Sequence, residues 1–296
     1  MLINASLKLD IIEGMNKKTY VLHAEDHDRN IFDSKYVYPV VSRRAGGLSL
    51  GVNLNTNNAC NWQCIYCEIP NLTRGGPEPI KVELLKDELN LWIDQIINSN
   101  FLKENTPPGT TFADIALSGN GEPTAAPEFL DVLEIIIASL KEYKLIDKIP
   151  VRLITNGSFI SKKKECLKVF NRYHGEVWFK IDAADEGSIK LINQVNLDPN
   201  SMINKLKTCA EACQTVIQTC LLKINHQVPT NDFLKKYSSL IKPYEKLIKK
   251  IDLYSLARPS LQNNQAITIE RLSLDELNNI KNILQKHLTI KIDVFP

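Results

Sequence analysis

Short apolar runs alternate with longer amphipathic segments along most of this chain. Residues 48–54 (LSLGVNL) read as a first strand. Residues 82–98 read as a helix, because Leu85, Leu89, Trp92 and Ile96 recur at three- and four-residue steps on one face. A second strand is expected over 114–118 (DIALS). A helix over 128–143 follows, with Phe129, Val132, Leu133, Ile136 and Leu140 on its apolar face. The alternation continues with a strand at 151–155 (VRLIT), a lysine-rich helix from 162, a strand at 176–182 (EVWFKID) and helical segments to 212. It ends with a strand at 215–223 (TVIQTCLLK), a helix over 230–241, a strand at 251–256 (IDLYSL) and a last helix over 273–287. Ser273 suits that helix's N-cap, with Glu276 three residues on.

Six strands alternating with helices predict an α/β fold with a parallel sheet and right-handed crossovers. Runs such as VRLIT and VWFKI suit strands covered on both faces. The pattern allows an open doubly wound sheet or a partial barrel, and six strands stop short of a complete eight-stranded barrel. Residues 1–47 read as an N-terminal extension, with 19–23 as a candidate extra strand, and residues 48–296 as the core domain with its C-terminal helix. The polar motifs fall after strands. Cys60 to Cys67 follow the first strand, Gly119 to Thr124 the second and Asn156–Gly157 the third, while Asp182 ends the fourth and Arg258 follows the sixth. In parallel α/β proteins the carboxyl ends of the strands share one face, so five placements agree on one site.

Composition adds bounds rather than chemistry. The chain has 296 residues, 44% of them hydrophobic, enough for one barrel-sized domain. A net charge of +2 gives no mandate for a polyanionic partner. The N-terminus carries acids and no continuous apolar run, so it does not read as a signal peptide, and no stretch has the apolar length of a membrane span. The expectation is a soluble, cytoplasmic protein without a membrane partner. In that compartment seven cysteines point to metal binding or burial rather than disulfides.

Three of the seven, Cys60, Cys64 and Cys67, fall within eight residues (CNWQCIYC). Three thiolates can hold three irons of a four-iron cluster and leave the fourth open to another ligand. A zinc site would need a fourth Cys or His; His27 and His174 are the closest histidines on the two sides along the chain. Cys60-x3-Cys64-x2-Cys67, with Tyr66 before the last cysteine, resembles the signature of the radical S-adenosylmethionine (SAM) superfamily. SGNGEPT at 118–124 is similar to that family's glycine–glutamate motif after the second strand, and ITNG at 154–157 to its third-strand motif. Asn120 interrupts the usual paired glycines, and this longer form resembles the wyosine-synthase-like branch.

The resemblance implies a partial (β/α)6 TIM-like barrel, a 4Fe-4S cluster on Cys60, Cys64 and Cys67, and SAM chelating the open iron. It implies reductive cleavage of SAM to methionine and a 5′-deoxyadenosyl radical that abstracts hydrogen from a substrate. By the same resemblance Glu122 accepts the SAM amino group beside Ser118, Gly119 and Gly121. Thr155 and Asn156 bind carboxylate or ribose, Lys180 and Asp182 serve carboxylate and ribose hydroxyls, and Tyr66 contacts adenine. A small electron-donor protein of the flavodoxin or ferredoxin type is the implied partner.

Substrate contacts are expected from Arg43 and Arg44 before the first strand, Gln218 on the fifth and Arg258 after the sixth. Arginines at a barrel mouth clamp phosphate or carboxylate. The substrate itself stays open between a nucleotide or tRNA and a partner protein that receives a glycyl radical; a non-catalytic iron–sulfur sensor or scaffold is the reading from another class. Cys209 and Cys213, four apart on a helix, and Cys220 on a strand read as buried thiols, with an auxiliary metal as the alternative.

Overall fold

The computed structural model describes residues 21–23, 34–262 and 267–296. Twelve strands are found among them: β1 (Val37–Ser42), β2 (Gly47–Val52), β3 (Ala59–Cys60), β4 (Thr73–Arg74), β5 (Phe112–Leu117), β6 (Val151–Thr155), β7 (Glu176–Lys180), β8 (Gln214–Cys220), β9 (Leu222–Ile224), β10 (Lys250–Tyr254), β11 (Ile269–Arg271) and β12 (Ile292–Phe295). The helices are α1 (Val82–Asn98), α2 (Phe101–Asn105), α3 (Phe129–Glu142), α4 (Lys164–Arg172), α5 (Glu186–Asn193), α6 (Pro199–Ala212), α7 (Asn231–Ile241) and α8 (Leu274–Leu284).

Eight strands form one curled sheet in the order β1-β2-β5-β6-β7-β8-β10-β12. All neighbours from β2 onward run parallel, and β1 is antiparallel to β2. This is the expected partial TIM-like barrel. Helices cover its outside, so β2 is buried along its whole length and β7 in four of five residues. Leu85, Leu89, Trp92 and Ile96 of α1 pack into the same core as Phe129, Val132, Leu133, Ile136 and Leu140 of α3.

Helix starts follow the side-chain rule for unsatisfied N–H groups. Asp185, Asp198 and Thr230 cap α5, α6 and α7, and Ser273 with Glu276 forms a full capping box on α8. The expected strand over 215–223 is instead two: β8 ends at Cys220, and β9 leaves the barrel to pair antiparallel with β11.

Two edge strands depart from the expectation. β1 lies within the stretch read as an extension, so the barrel begins before residue 48. It is held by Glu88 of α1, a buried carboxylate that accepts from Lys35 N (2.9 Å), Tyr36 N (2.8 Å) and Val37 N (3.0 Å). β12 adds a seventh parallel strand from the last residues of the chain. Of the candidate strand at 19–23, residues 19 and 20 lie outside the described residues, and 21–23 are not a strand.

Candidate active site

The carboxyl ends of the strands open on one cavity of about 320 Å³. Cys60, Cys64, Cys67, Tyr66, Ser118, Gly119, Gly121, Glu122, Thr155, Asn156, Lys180, Arg43, Arg44 and Arg258 all line it. Fourteen residues scattered over 216 positions of sequence thus meet on one wall-to-wall surface, as the placement of motifs after strands requires.

The cysteine loop alternates between core and cavity. Trp62 and Ile65 are buried, whereas the three cysteines are half-buried toward the cavity. The loop is tied on every side. Asn61 donates to Ser158 Oγ (2.7 Å) and accepts from Asn156 Nδ2 (3.0 Å), which joins it to the loop after β6. Ile65 N donates to Ile192 O (2.9 Å) at the end of α5. Beyond β10, Ser260 Oγ donates to Ile65 O (2.7 Å) and Leu261 N to Cys67 O (3.1 Å). Arg74 closes the remaining side, with Nη1 to Asn61 O (2.9 Å), and Nη2 to Gln63 Oε1 (3.1 Å) and Gln194 O (2.7 Å).

Burial pushes the Cys60 thiol up to about 12 and the Cys64 thiol to about 11. Ligation to a cation is what makes such thiols thiolates at neutral pH. No three Cys, His, Asp or Glu side chains among the described residues are grouped as for a single metal ion. A four-iron cluster asks for a different arrangement, because each thiolate binds its own iron. Three half-buried thiols on one cavity wall fit that demand, and Asn193 Nδ2 donates to Cys64 Sγ (3.3 Å) as an N–H···S contact.

The glycine–glutamate loop packs on the chain leading into Cys60. A Cβ on Gly119 would overlap Asn53, and one on Gly121 would overlap Ala59 O and Asn55. The close backbone approach these glycines permit is therefore to protein. Asn53 Oδ1 bridges the two segments, accepting from Asn55 N and Asn120 N at 3.0 Å each.

Glu122 is buried behind this loop. Its Oε1 accepts from Thr124 N (3.1 Å), Thr124 Oγ1 and Thr155 Oγ1 (2.6 Å), and its Oε2 from Asn156 N (2.7 Å). Burial raises its pKa above the usual carboxylate value against the pull of these bonds. The carboxylate thus welds the loop after β5 to the loop after β6, where Gly157 takes a φ of +73° that a non-glycine residue adopts only under strain.

Two expected contacts sit differently. Asp182 is buried behind the lining: Oδ2 accepts from Tyr66 Oη (2.6 Å) and Asn193 Nδ2 (2.7 Å), while Oδ1 accepts from Cys220 N (2.9 Å) and faces Lys180 Nζ (3.3 Å). Both oxygens are thus engaged by neighbouring groups, and Asp182 ties the cysteine loop, α5 and the end of β8 together. Gln218, with no exposed surface, lies beneath Arg44 and accepts from its Nη1. Burial lowers the Lys180 pKa, but Asp182 and Tyr254 outweigh it, so the ammonium stays charged.

Sequence reasoning missed Asn193, Arg74, Trp178 and Tyr254. Trp178 and Tyr254 were findable, because both lie on alternate positions of their strands with Lys180 and Asp252. Asn193 and Arg74 carry no sequence signal. Deeper in the barrel Arg152 pairs with Asp114 and with Glu176 (3.1 Å), and stacks 4.8 Å from the Trp178 ring. Cys209, Cys213 and Cys220 are buried, as expected. Only Cys220 reaches the cavity, while the other two lie at the end of α6 in the main core.

No protein-family profile matches the chain. Among curated proteins it is similar to a UPF0026 protein of Helicobacter pylori (strain ATCC 700392 / 26695), 29% identical over 245 residues that cover 81% of this chain and 70% of that one. It is also similar to the GTPase Obg of Brachyspira hyodysenteriae (strain ATCC 49526 / WA1), 30% identical over 262 residues, 86% of this chain; the match spans 34% of that longer protein. Among solved structures, TYW1 with a lysine-pyruvate adduct bound superposes with a TM-score of 0.58 at 17% identity, over 82% of this chain and 74% of that one. A radical SAM methyltransferase from Sphaerobacter thermophilus gives 0.59 at 13%, over 88% and 68%. Native anSMEcpe with bound AdoMet gives 0.54 at 18%, over 82% and 62%.

Proposed function

The fold of this chain is one it shares with radical SAM enzymes, and on that premise we propose that it is itself such an enzyme. Cys60, Cys64 and Cys67 would hold a 4Fe-4S cluster, and SAM would occupy the cavity beside it. The observation that carries this reading is the convergence of the three thiols with Glu122, Thr155 and Asn156 on one cavity. The AdoMet in anSMEcpe, a protein of the same fold, supports SAM as the occupant. When bound, the cluster supplies an electron to the sulfonium, yielding methionine and a 5′-deoxyadenosyl radical that takes hydrogen from the substrate.

The chain's own part is binding, orientation and exclusion of water. The backbone of Ser118 to Gly121 and the remaining acceptor capacity of Glu122 Oε2 receive the amino group. Asn156 Nδ2 and Thr155 face the polar end of SAM from the next strand, and Lys180 offers a fixed positive charge to its carboxylate. Tyr66, its hydroxyl held by Asp182, would contact adenine through its side chain or backbone. A flavodoxin- or ferredoxin-type protein is the proposed electron source. For the substrate, a nucleotide or tRNA is the favoured class, supported by the likeness of SGNGEPT to the wyosine-type branch.

The decisive experiment is anaerobic reconstitution with iron and sulfide, reduction with dithionite, and assay of SAM conversion to 5′-deoxyadenosine. Product formation that depends on all three cysteines is expected. A reconstituted four-iron protein that leaves SAM intact would overturn the enzyme reading in favour of an iron–sulfur sensor.

A further inference from the structure

Several cations of the barrel interior are paired with carboxylates. Lys180 faces Asp182, and Arg258 pairs with Glu68. Arg152 bridges Asp114 and Glu176, and Lys250 lies between Asp252 (2.8 Å) and Asp293 (3.1 Å). Arg44 has no carboxylate partner among the described residues. It reaches from the β1–β2 turn across the cavity to the far strands. There its Nη1 donates to the neutral Gln218 Oε1, and its guanidinium lies 4.4 Å from the Tyr254 ring and 5.8 Å from the Trp178 ring.

This neutral seat is itself built. Gln218 Nε2 donates to Asp252 Oδ2 (3.0 Å), so the amide is turned with its oxygen toward Arg44. Asp252 pairs directly with Gln218 and Lys250 and acts on Arg44 only through space, from behind the amide. The two ring faces orient the guanidinium plane and leave most of its five N–H donors unspent within the cavity. A half-buried guanidinium with no carboxylate in direct contact gains from an anion that comes to pair with it. A guanidinium fixed by stacking is prepared for a bidentate oxyanion.

We infer that Arg44 anchors an oxyanion of the substrate, a carboxylate or a phosphate, on the cavity wall formed by Trp178, Gln218 and Tyr254. The inference takes from the proposed function only that this cavity is the substrate chamber. Arg44 is a substrate-binding residue in this account, and Gln218 with Asp252 positions it.

The test uses the full chain without iron or SAM, so it stands apart from any radical chemistry. Arginine labelling with phenylglyoxal is followed by peptide mass spectrometry, with inorganic phosphate, malonate, SAM or chloride added at equal ionic strength. Phosphate or malonate is expected to slow labelling of Arg44 at least about tenfold, with Arg74 unaffected. Protection by phosphate alone assigns a phosphoester, and by malonate alone a carboxylate. Equal labelling in every anion overturns the proposal, and so does protection by SAM alone, which would give Arg44 to the cofactor. Thermal shifts supply the second arm: saturable stabilisation by the protecting anion is expected in the native chain and lost in Arg44→Gln and Arg44→Met. The methionine variant keeps a long side chain against Tyr254 and Trp178, so one of the two remains folded for the comparison.

Discussion

Asn193 donates one amide hydrogen to Cys64 Sγ (3.3 Å) and the other to Asp182 Oδ2 (2.7 Å). A hydrogen bond to a cluster thiolate favours the more negative, reduced state and raises the midpoint potential. Asn193→Ala is expected to lower the potential by about 20–60 mV, from about 0.5–1.5 kcal/mol for one hydrogen bond. Spectroelectrochemistry of the reconstituted protein measures it. An unchanged potential at unchanged iron content would remove the tuning role.

Arg74 ties three acceptors around the cysteine loop while staying exposed to solvent. Arg74→Gln should raise amide exchange in residues 61–65 and 193–195 and slow cluster assembly, with little change in the global unfolding midpoint. Uniform loss of protection across the sheet would mean that Arg74 supports the fold and not the loop.

Gly121→Ala places a methyl group on Ala59 O, one residue before Cys60. Reconstituted iron per chain is expected to fall by more than half, while far-ultraviolet circular dichroism stays native. Full iron loading in the variant would show that the loop can yield.

Glu88→Ala strips acceptors from three backbone N–H groups at the entry to β1. Each unsatisfied buried group costs about 1–3 kcal/mol, so a loss of about 3 kcal/mol or more is expected in urea unfolding. A loss below about 1 kcal/mol would indicate that water replaces the carboxylate.

Chelation of iron from the reconstituted protein should leave the secondary structure in place. The core of the sheet and its helices is continuous without the cysteine loop, unlike a small metal domain that unfolds without its ion. Circular dichroism before and after chelation tests this. Loss of helix signal on chelation would show that the cluster supports the barrel.

The helix α1 was legible to its ends because an apolar residue at nearly every third or fourth position specifies one buried face. The strands with apolar runs were legible for the same reason. β1 was not, because the turn of Ser42 to Gly47 hides a hairpin between two stretches of similar polarity. β12 was not, because Ile292 to Phe295 carries a charge midway, and the partner that buries it, β10, is forty residues upstream. At the site, the local spacing of Cys60, Cys64 and Cys67 marked them out, and the structure sets all three on the cavity. Asn193 and Arg74 act only where the chain folds back on that loop. Asp182 follows β7 as expected, and its bonds to Tyr66, Asn193 and Cys220 N emerge only from the folded chain.

Glu122 joins the loops after β5 and β6 through Thr155 and Asn156 N, and Asn156 in turn reaches Asn61 of the cysteine loop. A substitution in any one of these loops is felt by all three, so this half of the cavity is closed to gradual change. The segment after β10 joins the same network through Ser260 and Leu261, whereas the β1–β2 turn shares none of these bonds and is a connection whose tip accepts insertion and exchange. Variation among relatives of this chain should therefore gather on the β1–β2 side of the cavity, while the side bonded through Glu122 stays fixed.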